Sequence, residues 1–204
     1  MSAVFELDYA ADLSHRLRMY EILARASQRL REDREFSAIL SDLALSATAM
    51  VDAFGGSIAY AEQGEIKFGD YICDGDLHAL DLNDREVCGV AKHVISTARP
   101  YLSNDVSADG FILSEKGSVR GFDKVVAAPI LNSHAQPLGC ILVHNRKDQR
   151  DFYAEDVSML ELLAGSAGSR LELLDSESDL ERMVEEMNEI KSRYTSLKRK
   201  LELV

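Results

Sequence analysis

Apolar positions repeat with a helical period at the start, middle and end of the chain, and with a strand-like pattern between. Leu13, Leu17, Tyr20, Leu23, Ser27 and Leu30 recur every three or four residues, which puts them on one helix face. The charged residues 31–35 interrupt that helix, and Asp33 is the expected N-cap of a second. Its stripe is Phe36, Ile39, Leu40, Leu43, Ala47, Met50, Val51 and Phe54, with Gly55-Gly56 as the expected stop. Residues 57–61 and 65–73 read as strands joined by a turn at Gln63-Gly64. Asp74-Gly75-Asp76 ends the second of them, and residues 78–82 read as a weak third strand.

Asn83 and Glu86 have the spacing of a capping box, so the next helix starts there and buries Val87, Val90, Ala91, Val94, Ile95 and Ala98 before Pro100 ends it. Tyr101-Leu102-Ser103 reads as an edge strand. Residues 104–121 form the longest irregular segment, of a length usually reserved for function. Residues 124–131 and 138–145 are apolar on both faces, so they are expected to be central strands, joined by a turn at 132–137. From Tyr153 onward the pattern is helical in two phases. Val157, Leu160, Ala164, Ala167, Leu171 and Leu174 face one way. Leu180, Met183, Met187, Ile190, Tyr194, Leu197, Leu201 and Val204 then make a heptad seam, with a phase break at residues 175–179.

Composition narrows the function classes. A 46% hydrophobic content across 204 residues is enough for one domain with a core plus an extension. The net charge of −12 repels a nucleic-acid backbone and an acidic membrane surface, so neither partner is expected. The three cysteines, Cys73, Cys88 and Cys140, form no CxxC pair, which argues for reduced thiols in a cytoplasm. Met1 to Tyr9 carry no basic region followed by an apolar run, so no secretory signal is expected.

Several segments together resemble the GAF family. The run from Val94 through Arg99-Pro100-Tyr101-Leu102-Ser103-Asn104-Asp105 is similar to its helix-to-strand passage. Ala128-Pro129-Ile130 followed by Pro137-Leu138-Gly139 is similar to its central hairpin. Asn145, Arg146, Phe152 and Asp156 resemble a signature of Asn and Lys before Phe, three residues and Asp-Glu; Leu160 to Ala164 resemble the closing helix. Arg146 replaces the usual Lys and Val157 the second acid, residues often kept by cyclic-nucleotide-binding members, so that ligand class is not carried over.

The resemblance implies an α/β (α+β) fold with a central antiparallel sheet, helices packed on it and a long C-terminal coiled-coil helix. It divides the chain into an N-terminal helix at 1–31, used for dimerisation or signalling, a GAF domain at 32–174 and a coiled-coil helix at 175–204. It also implies a cytoplasmic, non-enzymatic module for signal transduction that senses a small molecule and works as a homodimer. Its output domain is fused or separate. No cofactor is specified. A rotation of the proximal helix, passed through the phase break, would carry the signal if ligand affinity differs between two packings.

The candidate ligand residues are Phe68, Tyr71, Phe111, Arg120, Phe122 and His144. They lie on the second strand, the long irregular segment and the central hairpin, where a concave apolar site with few polar groups would form. Each has a plainer role: Phe111 and Phe122 as loop anchors, Arg120 as a solvated charge, and His144 as a hydrogen-bonded core residue. The remaining histidines have no metal-ligand spacing. Val87-Cys88-Gly89-Val90-Ala91 resembles a segment of the free methionine sulfoxide reductases, GAF proteins whose thiolate attacks a sulfoxide. Cys88 is therefore the nucleophile of an alternative, enzymatic reading, although Val125, Leu142 and His144 stand where acidic substrate ligands belong. A ligand-free dimerisation domain is the third reading.

Overall fold

The structure is a computed structural model that describes residues 2–32, 35–62, 64–78, 85–109 and 123–201. Among them, seven strands form one antiparallel sheet: β1 (Ala53–Glu62), β2 (Glu65–Phe68), β3 (Tyr71–Cys73), β4 (Asp76–His78), β5 (Tyr101–Ser103), β6 (Val125–Leu131) and β7 (Pro137–Arg146). The order across the sheet is β4-β3-β1-β7-β6-β5, with β2 also paired to β1. The helices are α1 (Ser2–Glu32), α2 (Phe36–Met50), α3 (Arg85–Thr97) and α4 (Ala154–Leu201). No described helix is long and apolar enough to cross a membrane.

The two expected central strands lie side by side, with β7 between β1 and β6. Their alternation sorts the core into two layers. Ile141 and Val143 of β7, with Val126, Ala128 and Ile130 of β6, face α1, α2 and α4. Cys140 and Leu142, with Val125 and Ala127, face α3. All nine side chains are buried, which is why these strands carry no polar alternation.

Several expectations change in position. Phe54, Gly55 and Gly56 belong to β1, not to the end of α2. Asp52 ends α2 instead, taking a left-handed φ of 53°. A Cβ on Gly56 would stand 2.6 Å from the Leu142 carbonyl and 3.0 Å from the Thr48 methyl, so this glycine admits the approach of α2 to the sheet. The N-cap position of α2 is Glu35, which makes no side-chain cap bond; Asp33 lies outside the described residues. The expected strand at 65–73 is two strands, β2 and β3, hinged at Gly69-Asp70. Of the weak strand expected at 78–82 only His78 is described, as the last residue of β4, which begins at Asp76; residues 79–84, with Asn83, are outside the described residues.

On α1 the apolar residues divide between two faces. Met19, Ala26 and Leu30 enter the core, with Ile22 and Leu23 beside them. Leu13, Leu17 and Tyr20 are exposed. Arg16 pairs with Glu155 at 3.3 Å and the hydroxyl of Ser27 donates to that of Ser166 at 3.3 Å, the same offset both times, so α1 and α4 run parallel. The α4 backbone stays helical through residues 175–179, so the phase break is one of side chains alone. Met183 and Met187 are exposed; the side chains of Leu180, Ile190, Tyr194, Leu197 and Leu201 lie outside the described residues.

Helix α4 approaches β6 most closely at Gly168, where a Cβ would meet the Leu131 carbonyl at 1.9 Å. The hairpin after β6 is tied to the same helix, because Ser133 donates its N–H and hydroxyl to Glu172 at 3.0 and 2.7 Å. Gly168→Ala is expected to push α4 off the hairpin and cost about 1–3 kcal/mol, the usual range for overpacking. Gly165→Ala meets nothing within 4 Å. It is expected to gain up to about 1 kcal/mol from helix propensity. Urea unfolding of both variants checks the contrast.

Candidate ligand face and the junction to the last helix

Three of the candidate residues, Phe68, Tyr71 and His144, lie on the face of the sheet that looks toward α3, and two of them, Tyr71 and His144, meet. In the strand register Gly55 stands opposite both Cys73 and His144, and Ala59 opposite Phe68. Gly55 has no side chain, and across that gap the Tyr71 hydroxyl and His144 Nε2 share a 2.7 Å hydrogen bond. The two rings lie parallel with centroids 5.7 Å apart, and Phe54 meets His144 edge-on at 6.4 Å. A Cβ on Gly55 would sit 2.5 Å from His144 Nε2 and 2.7 Å from the Tyr71 oxygen, so the pair exists only because residue 55 is glycine. Nothing in the sequence pattern marked Gly55 for this role; it read as a helix stop.

Phe68 packs against the second core cluster beside Ile66, Ile95 and Tyr101. Tyr101 is held by Asp109, and His93 of α3 touches its ring edge-on at 5.8 Å. The surroundings of His144 are apolar, and burial lowers its pKa from 6.5 to about 4, so its imidazole is neutral at pH 7. A depression of about 720 Å³ opens next to Phe54, lined also by Asp123, Lys124, Asn145, Arg146, Lys147 and Gln149. Phe111, Arg120 and Phe122 lie outside the described residues.

Cys140 is fully buried on this face, and burial pushes its thiol up to about 12 despite a counterweight from the Ala59 backbone. Such a thiol stays protonated and unreactive. The side chain of Cys88 lies outside the described residues. A second groove of about 660 Å³ runs between α1 and α2, rimmed by Arg18, Arg25, Arg29 and Lys147. Three of these cations are already paired: Arg29 with Asp42 at 3.3 Å, Arg25 with Glu21 at 3.9 Å and Lys147 with Asp74 at 3.1 Å. Among the described residues, no group of His, Cys, Asp and Glu is arranged to hold a metal.

The signature residues Asn145, Arg146, Phe152 and Asp156 build the junction between β7 and α4. Asn145 takes a left-handed φ of 46°, and its Oδ1 accepts the N–H groups of Asp123 and Lys124, both at 3.0 Å. Arg146 then reaches Asp156 at 3.3 Å, with both side chains nearly fully buried. Asp156 Oδ2 also accepts the N–H of Tyr153 at 2.8 Å, so an acid in the first turn caps the helix that Tyr153 itself cannot cap. Burial alone would raise the carboxyl of Asp148, but hydrogen bonds from Arg146 and Arg150 outweigh it and hold the group at about 2. Phe152 is 1% exposed and its backbone is held by Asn104.

Among the described residues, a sheet with three helices on one face and one on the other defines a mixed α/β domain. The family model of the GAF domain matches residues 33–172, and the chain belongs to that family. Among solved structures, a fragment of a methyl-accepting chemotaxis protein is 19% identical, with a TM-score of 0.59 over 74% of this chain and 96% of that one. The GAF domain of a phosphoenolpyruvate-protein phosphotransferase from Coxiella burnetii is 15% identical, with a TM-score of 0.60 over 80% and 98%. Free methionine-R-sulfoxide reductase from Neisseria meningitidis, solved with its substrate, is 14% identical, with a TM-score of 0.61 over 78% and 91%. At these identities the likeness is one of fold. No curated protein matches.

The neutral His144 sets a pH dependence. The unfolded imidazole takes a proton near its ordinary value of about 6.5. The folded one takes it near 4. Between these values the unfolded chain binds more protons, so stability from this group is complete above about pH 6.5 and is lost as the pH falls toward 4. The loss approaches about 3 kcal/mol at the low end. In His144→Gln the gap between urea midpoints at about pH 7 and about pH 4.5 is expected to shrink, the remaining slope coming from the carboxylates.

Proposed function

We propose that this chain is a sensory or regulatory module that binds a small molecule on the α3-facing side of its sheet and passes the state on through α1 and α4 in a homodimer. The observation that carries the reading is the Tyr71–His144 pair. It is a hydrogen-bonded polar group on the same sheet face as the apolar cluster that Phe68 packs against, a composition that small-molecule sites share. With His144 neutral and hydrogen-bonded to Tyr71, this face suits an uncharged ligand with one hydrogen-bonding group.

The dimer reading is supported by exposed apolar residues on the two parallel helices. Leu13, Leu17 and Tyr20 of α1 and Leu162, Leu173, Met183 and Met187 of α4 are all more than half exposed. Helices with such faces gain by pairing. The heptad repeat in the sequence at Leu180, Met183, Met187, Ile190, Tyr194, Leu197 and Leu201 would extend this pairing toward a fused or separate output domain.

The non-enzymatic reading is preferred over the reductase one because Val125, Leu142 and His144 stand where that chemistry wants acidic substrate ligands. Cys88→Ala is expected to leave any free methionine sulfoxide reduction by the purified protein at background, as in the wild type. Reduction that depends on Cys88 would replace this proposal with the enzyme.

A thermal-shift screen against uncharged heteroaromatic and amide metabolites is expected to give a stabilising ligand whose shift is lost in Tyr71→Phe and in His144→Phe. A screen in which only anionic nucleotides stabilise the protein, with no effect of either variant, overturns the site. In native mass spectrometry the wild type is expected to be a dimer, and the double substitution Leu17→Glu, Leu173→Glu is expected to be a monomer. A wild-type monomer at micromolar concentration overturns the helix-pairing reading.

A further inference from the structure

The ends of the segment between β5 and β6 are fastened by two asparagine side chains, Asn104 to the residue Phe152 ahead of α4 and Asn145 at the end of β7. Where the chain leaves β5, the Asn104 amide makes both bonds that a neighbouring strand would make. Its Oδ1 accepts the N–H of Phe152 at 2.8 Å and its Nδ2 donates to the Phe152 carbonyl at 3.0 Å. Where the chain returns, Asn145 Oδ1 accepts Asp123 and Lys124 N–H, and Lys124 Nζ donates to the Gln149 carbonyl and to Asp151 at 2.8 and 2.7 Å. The outgoing and returning strands are joined directly, Val106 N–H to the Asp123 carbonyl at 3.0 Å.

These bonds span the sheet from one side to the other. Val106 is buried in the α3-side cluster, while Phe152 is buried in the cluster made by α1, α2 and α4. Strand β5 is the edge of the sheet, so its outer side is free to carry such a link. Asn104 stands two residues from Val106 and grips the residue two before the first residue of α4. A shift of Val106 on the ligand-facing side therefore displaces the peptide of Phe152, and with it the first turn of α4, where Asp156 and Arg146 hold the backbone.

The geometry points to Asn104 as the positioning residue that couples the α3 side of the sheet to the start of α4. A two-point hydrogen bond to one peptide transmits both translation and rotation of that peptide. A contact between apolar side chains allows them to slide. The coupling rests on the sensing proposal for its purpose, but its test needs no ligand, so the two stand or fall separately.

The test is hydrogen exchange by mass spectrometry on the full chain, comparing wild type, Val106→Ala, Asn104→Ala and the double variant. Val106→Ala alone is expected to raise exchange severalfold at residues 152–158 while residues 140–143 of β7 stay protected. In the Asn104→Ala background the same substitution is expected to add nothing at 152–158. By reciprocity, Phe152→Leu is expected to raise exchange at 104–109 only when Asn104 is present. If Asn104→Ala fails to fold, Asn104→Asp keeps the acceptor for Phe152 N–H and loses the donor, and is expected to reduce the coupling without abolishing it. An equal rise at 152–158 in both backgrounds, or no rise with Val106→Ala, overturns the assignment.

Discussion

The structure depends on burying β7 on both faces at once. An antiparallel strand with Ile141 and Val143 pointing one way and Cys140 and Leu142 the other has no side for water. One face draws in α1, α2 and α4, and the other draws in α3. Burying each large aliphatic side chain contributes roughly 1.5–3 kcal/mol, so this strand adds to both layers of the core. The price is that any polar group on it must find its partner inside, and His144 does so with Tyr71.

Close approach of backbones recurs wherever the layers meet. Gly56 lets α2 reach the sheet, Gly168 lets α4 reach β6, and Gly55 leaves the slot in which the imidazole and the phenol ring meet. Packing and site share one device. A missing side chain brings elements together on the helix-covered face and opens a polar contact on the other.

The junction from β7 to α4 unites the family signature with the start of the last helix. A nearly buried ion pair between Arg146 and Asp156 is not in itself strong evidence of stability, since desolvation offsets much of the attraction. Its clearer effect is directional. It fixes where α4 begins, with Asp156 also serving the Tyr153 amide and Phe152 sealing the core. Helix α1 runs parallel to α4 and touches it from Arg16 to Ser27, beside this junction.

Much of the architecture was legible in the chain. Strands β5, β6 and β7, helix α3 and the last helix fall within a residue or two of their expected places where described, because runs apolar on both faces and helical stripes are local patterns. The family resemblance rested on Asn145, Arg146, Phe152 and Asp156, and the family holds. Of the candidate ligand residues, Phe68, Tyr71 and His144 share a face, as strand alternation on β2, β3 and β7 allows. Periodicity could not tell which of two apolar faces of α1 enters the core, so Leu13, Leu17 and Tyr20 proved exposed while Met19 and Ala26 are buried. It could not place Gly55 in a strand, nor show that Asn104 would hold Phe152 across 48 residues of sequence. Repeat and alternation are set by neighbours along the chain, and the sequence determined them alone. Slots, clamps and the choice between apolar faces depend on which distant backbone arrives alongside, and only the folded chain decided those.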